Sequence, residues 1–349
     1  MTRMLSYILW PWLFGDCVAL NHLALGSNHP IVYFNLIYLG LACCLLLLER
    51  VLPFERQWLA DDGQIGVDLG HTLLNKGLVQ VGAVAVVAMG IAETVDPEPA
   101  AMWPTAWPIA GQVILGLVIA ECGLYFAHRL AHEWPKLWCF HAVHHSVTRL
   151  WVVNTGRFHF VDTMASIALS QSLLYLAGAP KPIFLWVAAI TAFIGILTHC
   201  NVAMRAGWLN LVFNTPELHR WHHSRITEEG NTNYGENLMF MDLLFRSYFL
   251  PNRRPPADIG IDRGMPKTLL GQLRAPFMWL AGERGQPLLA VAGAGEEAVP
   301  PRRASDPSKR PSACRIAPEP GQWQRTRDDP APGLRVRREQ AKKADGRSG

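Results

Sequence analysis

The chain has 349 residues, half of them apolar, and a slightly positive mean hydropathy. That is too apolar for an average soluble protein and too often interrupted for a simple channel, so a protein with both membrane and aqueous parts fits. The formal net charge of +4 belongs to one end: residues 296–349 hold 13 Lys/Arg against 8 Asp/Glu, which leaves the rest near neutrality and argues against nucleic acid as a partner.

In chain order, Arg3 is followed by an apolar stretch that Asp16 and His22 interrupt, with no clean small-residue cleavage site after it. It reads as a retained membrane segment rather than a secretory signal. Residues 31–48 carry no charge, approach the ~20 residues that cross a bilayer, and stop at Glu49-Arg50. Residues 67–91 and 109–127 make two more expected crossings. Residues 163–178 and 182–198 form a short apolar pair joined at Ala179-Pro180-Lys181-Pro182, either two crossings or a re-entrant hairpin. The expectation is an all-α membrane bundle of four to six such helices.

Lys and Arg are absent from 92–108 but recur in 49–66, 128–162 and 199–254. The positive-inside rule therefore puts those three segments in the cytoplasm, with Trp103 and Trp107 at the outer interface. The division expected is 1–108 for N-terminal membrane helices, 109–255 for a catalytic domain, 256–292 for an irregular extension and 293–349 for a disordered basic tail. The seven cysteines, at 17, 43, 44, 122, 139, 200 and 314, form no C-x-x-C pair and read as small buried hydrophobes in a reducing setting.

Nine of the 13 histidines fall into a pattern: HRLAH (His128, His132), HAVHH (His141, His144, His145), His199 alone, and HRWHH (His219, His222, His223). Helical positions i and i+4 share a face, so His128 and His132 can aim two imidazoles at one point. The other clusters repeat that geometry, each with an adjacent ring able to reach a second point. Several imidazoles at each of two points describe a dinuclear metal site. Packing them without metal would cost desolvation and, on protonation, mutual repulsion. His22, His29 and His71, by contrast, read as interfacial or hydrogen-bonded residues.

Imidazole suits Zn, Cu, Fe and Ni, and the lack of paired Cys argues against a structural zinc module. Glu121 and Asp162 are the only acidic residues close to the first clusters on membrane-facing sequence, so this is no Glu-x-x-His carboxylate bundle. Arg-Leu-Ala between His128 and His132 also removes the zinc-protease H-E-x-x-H.

The boxes at 128–132, 141–145 and 219–223 resemble, in order and spacing, the H-x3-H and two H-x-x-H-H boxes of the fatty acid hydroxylase / sterol desaturase superfamily of membrane di-iron enzymes. The resemblance spans roughly 109–250. Tyr125 before the first box, Arg157-x-His159, and NTPELHRWHH…NYGENLMFMDLLFRSYF over 214–249 agree, the last being similar also to alkylglycerol monooxygenase-like members. Phe160, Met241 and Arg246-Ser247 depart from the usual Pro, Trp and Gly-Thr.

The resemblance implies that His128, His132, His141, His144, His145, His199, His219, His222 and His223 bind two iron ions, with His159 either a further ligand or a donor to one. It implies that Asn233, Tyr234 and Gly235 form a turn after the last box, and that Asp242 orients a ligand imidazole. It further implies O2 as co-substrate, with zinc able to replace iron in purified protein. No flavin, nicotinamide or haem-attachment fingerprint is visible, so electrons are expected from a ferredoxin or cytochrome b5-type donor with its reductase. The implied reaction is hydroxylation or desaturation of a lipid C–H bond, on an acyl or alkyl chain ahead of a sterol, hopanoid or carotenoid. Two other classes compete. A metal transporter or metal-binding protein predicts ionisable residues in mid-span, whereas these clusters sit at span ends; a zinc hydrolase would work without O2.

Overall fold

The computed structural model describes residues 3–88, 103–261 and 264–282. The calls on most of the 92–108 loop and on the 293–349 tail lie outside the described residues. Eleven α-helices occur among the described residues: α1 (Arg3–Leu25), α2 (Pro30–Val51), α3 (Ile65–Ala88), α4 (Ile109–Glu133), α5 (Pro135–His145), α6 (Phe160–Leu176), α7 (Lys181–His199), α8 (Pro216–His222), α9 (Thr227–Gly230), α10 (Phe240–Phe245) and α11 (Leu269–Leu280). Extended pairing among them is limited to three isolated bridges. The all-α expectation holds.

Four of these helices, α1, α2, α4 and α7, are long and apolar enough to cross a membrane, within the four to six expected. Leu45, Trp10, Phe193 and Leu197 are almost fully buried where α1, α2 and α7 meet, while Leu36, Leu39 and Leu47 on the outer face of α2 stay exposed. Apolar residues exposed along a span match a lipid solvent rather than water. The apolar hairpin appears as α6, of 17 residues, followed by α7.

The 67–91 segment begins as α3, whose first half buries Asp68, His71 and Asn75; residues 89–91 lie outside the described residues. Asp68 pairs with Arg157 at 2.9 Å, and His71 Nδ1 and Nε2 lie 3.0 Å from Phe158 O and 2.9 Å from Gln272 Oε1. These bonds tie the first half of α3 to the rest of the protein, although Asp68 Oδ2 and Asn75 Oδ1 have no partner. Trp103 is 5% exposed and donates Nε1–H to Gln112 Oε1 at 2.9 Å, whereas Trp107 is exposed.

Proline corners position the histidine boxes. A residue before proline is pushed out of the helical region, and Trp134 is accordingly extended (φ −100°, ψ 112°) between α4 and Pro135 at the start of α5. Thr215 does the same before Pro216 at the start of α8. Proline suits a helix's first turn, where its missing N–H has no partner to lose. The first two boxes are thus held on two helices meeting at a corner. Against them lies α6, so close that a Cβ on Gly123 would sit 2.7 Å from the backbone at Leu169 and Ser170.

Candidate metal centre

The four histidine segments converge into two groups: His128, His132, His141, His145 and His222 in one, and His144, His199, His219 and His223 in the other. Within each group, one nitrogen per ring lies within 4.8 Å of all the others. All nine rings are nearly inaccessible to solvent. His128 and His132 come from the last turns of α4, His141, His144 and His145 from α5, and His199 from the last residue of α7. Adjacent rings on one helix serve different groups, as His144 and His145 do, and His222 and His223.

The hydrogen bonds decide which nitrogen carries the proton. His128 Nδ1–H donates to Tyr234 O at 2.8 Å, His222 Nδ1–H to Thr232 O at 2.7 Å, and His144 Nδ1–H to Arg157 O at 3.3 Å. His141 Nδ1–H donates to Asp162 Oδ2 at 2.8 Å, and His199 Nδ1–H to Asn154 Oδ1 at 3.2 Å. The Asn154 amide orientation follows from Nδ2 donating to Arg149 O at 2.7 Å. His132 Nδ1 faces Asn231 Oδ1 at 3.0 Å, and His132 Nε2 has no partner.

A neutral imidazole has one N–H, so a ring that spends it at Nδ1 presents a bare lone pair at Nε2. The Nε2 atoms within each group lie against one another, although the Nδ1 atoms of His219 and His223 have no partner. His128 and His141 Nε2 are 3.1 Å apart, His145 Nε2 is 3.1 Å from both His141 and His222 Nε2, and in the second group His199–His219, His219–His223 and His223–His144 are 3.0, 3.1 and 3.1 Å apart. Since His128 and His141 have both spent their protons elsewhere, no hydrogen lies between them, and the contact is repulsive unless a cation sits there. Metal–imidazole bonds of ~2.1 Å at right angles place neighbouring nitrogens about 3.0 Å apart, against about 3.4 Å in a tetrahedron. The donor set fits a metal with more than four ligand positions.

Burial, and then the neighbouring imidazoles, hold His141, His144, His145, His219, His222 and His223 well below the ordinary histidine pKa. Neutral rings are what metal ligation needs.

His159 stands outside both groups. It caps α6, Nδ1 accepting Val161 N–H at 3.2 Å and Nε2 donating to Leu273 O at 3.1 Å, so neither nitrogen is left for a metal. Asp242 does not touch an imidazole; its carboxylate accepts Tyr234 N–H at 2.9 Å, Gly235 N–H at 2.7 Å and Ser247 Oγ–H at 2.6 Å. It fixes the peptide whose carbonyl receives His128. Asn233, at φ 54°, clasps the turn by donating Nδ2–H to Phe249 O at 2.8 Å and accepting Phe249 N–H at 2.8 Å. The carboxylate that orients a ring is Asp162, 21 residues after His141. Asn154 and Asn231 were not foreseen, and no sequence spacing marks them.

Residues 113–247 match the fatty acid hydroxylase family. Ornithine lipid hydroxylase OlsE of Rhizobium tropici is 51% identical over 277 residues, 78% of this chain and 84% of that protein. Alkylglycerol monooxygenase of Danio rerio is 30% identical over 146 residues, 42% of this chain and 31% of that one. Delta(7)-sterol 5(6)-desaturase ERG3B of Gibberella zeae is 28% identical over 148 residues, 41% and 43% of the two chains. The chain thus spans most of the first relative and under half of the other two. No solved structure matches it.

Buried imidazoles gathered into two groups beside apolar helices define a membrane oxidoreductase of the histidine-box class. This chain belongs to the fatty acid hydroxylase family, and it is a hydroxylase-type enzyme of lipid oxidation.

Proposed function

We propose that the two groups hold two iron ions, ligated by the nine converging histidines, and that the enzyme hydroxylates an acyl or alkyl chain of a polar membrane lipid. The carrying observation is the convergence of nine imidazoles in two groups, with the protons of His128, His141, His144, His199 and His222 committed at Nδ1. Five imidazoles in one group exceed the four-coordinate habit of structural zinc, which favours iron as the resident metal and leaves zinc a substitute. Bound there, iron supplies the O2-dependent C–H oxidation that side chains alone lack.

The chain's own residues do the rest. Asp162, Asn154 and the Tyr234, Thr232 and Arg157 carbonyls fix the tautomer and angle of His141, His199, His128, His222 and His144. The surrounding helices exclude bulk water from the rings. Electrons come from a separate ferredoxin or cytochrome b5-type protein. The Lys/Arg bias of 49–66, 128–162 and 199–254 supports a cytoplasmic face for the site, and 109–255 is the catalytic domain. The relatives' names support a polar lipid ahead of a sterol.

The test is a comparison of lipid mass spectra from cells with and without the gene, electron donor present. The expected result is a gene-dependent lipid heavier by one oxygen atom that vanishes with His144→Ala. A lipid lighter by two hydrogens means desaturation instead, and an unchanged lipidome overturns the oxidation reading.

A further inference from the structure

Beside the metal helix α8 opens a cavity of about 720 Å3 that the ligand chemistry does not use. Four arginines line it, Arg205, Arg220, Arg253 and Arg254, with one acid, Glu217. A cavity of this size falls within the range of small-molecule sites.

Arg220 sets the character of the cavity. It is 1% exposed, and its Nη2 donates to Cys200 O at 3.0 Å and Val202 O at 2.8 Å. Its Nε and Nη1 have no partner. A guanidinium is not deprotonated at neutral pH. The acids that act on it are committed elsewhere. Glu217 Oε2 accepts Ala206 N–H at 2.7 Å and Asn210 Nδ2–H at 3.0 Å; Glu49 Oε1 accepts Val152 N–H and Asn201 N–H, both at 2.9 Å. A buried guanidinium with two open donors and no ion-pair partner among the described residues is costly unless something anionic completes it.

The rim is of the same chemistry. Arg254 pairs with Glu55 at 2.9 Å and Arg253 with Glu229, and both are more than half exposed and able to turn a donor inward. Arg205 is exposed, 3.5 Å from the Tyr7 hydroxyl. Arg220 and Arg254 stack on Phe54, their guanidinium carbons 3.8 and 4.7 Å from the ring centre, which holds the forks in place. A planar guanidinium matches a carboxylate or phosphate with two parallel hydrogen bonds.

We propose that this cavity binds the oxyanion of a lipid headgroup, a carboxylate or a phosphate, with Arg220 as its anchor. The inference rests on the lipid-oxidation reading and specifies how the substrate is held. Arg220 lies between His219 and His222 on α8 and grips the Cys200 carbonyl next to His199. The headgroup is therefore fixed on the segments that carry the second metal group, while the apolar chain is left to the helices.

The experiment measures binding without turnover, on full-length protein in neutral detergent at constant ionic strength. The probes are inorganic phosphate, dihexanoylphosphatidic acid, dihexanoylglycerol, and N-octanoylglycine beside its methyl ester. At least one anionic lipid is expected to bind and to be displaced by phosphate, while the two uncharged lipids do not bind. Arg220→Lys weakens it about tenfold, the loss of one charge-assisted fork. Since Arg220 also holds backbone, the rim variants Arg205→Gln and Arg254→Gln decide if that variant does not fold, each weakening binding severalfold. Phosphate binding that no anionic lipid displaces overturns the headgroup assignment in favour of a free anion. Lipid binding equal for charged and uncharged probes, or indifferent to the rim variants, overturns the site. A lipidome unchanged by the gene, with anionic lipid still bound through these arginines, sinks the oxidation reading alone.

Discussion

Replacing Asp162 by Asn tests how the metal groups are built. The Asp162 carboxylate is 9% exposed and accepts His141 Nδ1–H at 2.8 Å. A buried charge-assisted hydrogen bond of this kind is worth about 1.5–3 kcal/mol, and loss of an equivalent partner in metalloproteins costs about 10–100-fold in metal affinity. Asn keeps the shape and an accepting oxygen but removes the charge that makes the ring a stronger donor to a metal. The buried charge also costs desolvation, so the metal-free variant should be as stable as the parent or more so. The assay is iron retained against a graded chelator series, beside the thermal midpoint of the metal-free protein. Iron retention falling by at least tenfold with the midpoint held or raised is expected. An unchanged chelator curve with a lowered midpoint would refute the reasoning, because Asp162 would then serve α6 rather than His141.

His159→Gln should retain the full metal content and lose about 1 kcal/mol of stability with the α6 cap; loss of one metal equivalent would restore His159 as a ligand. Gly123→Ala should cost about 1–3 kcal/mol by overpacking, since the new methyl meets backbone of α6 at 2.7 Å, and is read from thermal melting; an unshifted melt would contradict that close approach. The six buried histidines of α5, α8 and Ser224's neighbour His223 set a pH response in metal-free protein. Their folded values lie well below the ordinary 6.5, so the unfolded chain takes up protons first as pH drops. Stability should be full above about pH 7 and fall as pH drops through 6.5, by up to about 1.4 kcal/mol per pH unit for each group. A midpoint flat down to pH 5 would show the rings already protonated or exposed.

The histidine boxes were legible in sequence because helical spacing is local: His128 and His132, or His219 and His223, share a face whatever the rest of the chain does. Which ring serves which group was not legible, since the split of His144 from His145 depends on how the proline corners at 135 and 216 set one helix against another. Long-range partners explain the remaining departures. Asp242 was expected on an imidazole and holds the Tyr234 peptide instead, and His159 spends Nε2 on Leu273, 114 residues away. The roles of Asp68 and His71 in α3 were hidden for the same reason, as they find partners at 157, 158 and 272. An averaged window registers apolar content but not who satisfies the polar minority.

Both groups draw on the last histidine box. His222 completes one and His219 and His223 the other, so neither can close until the chain has been synthesised beyond residue 223. The first two boxes, with both proline-corner helices in place, form only a partial nest of lone pairs while the later helices are still being inserted. On the proposed reading, metal loading is therefore a late event in the protein's life, and a bound metal would act as the latch that fastens α8 to helices laid down long before it.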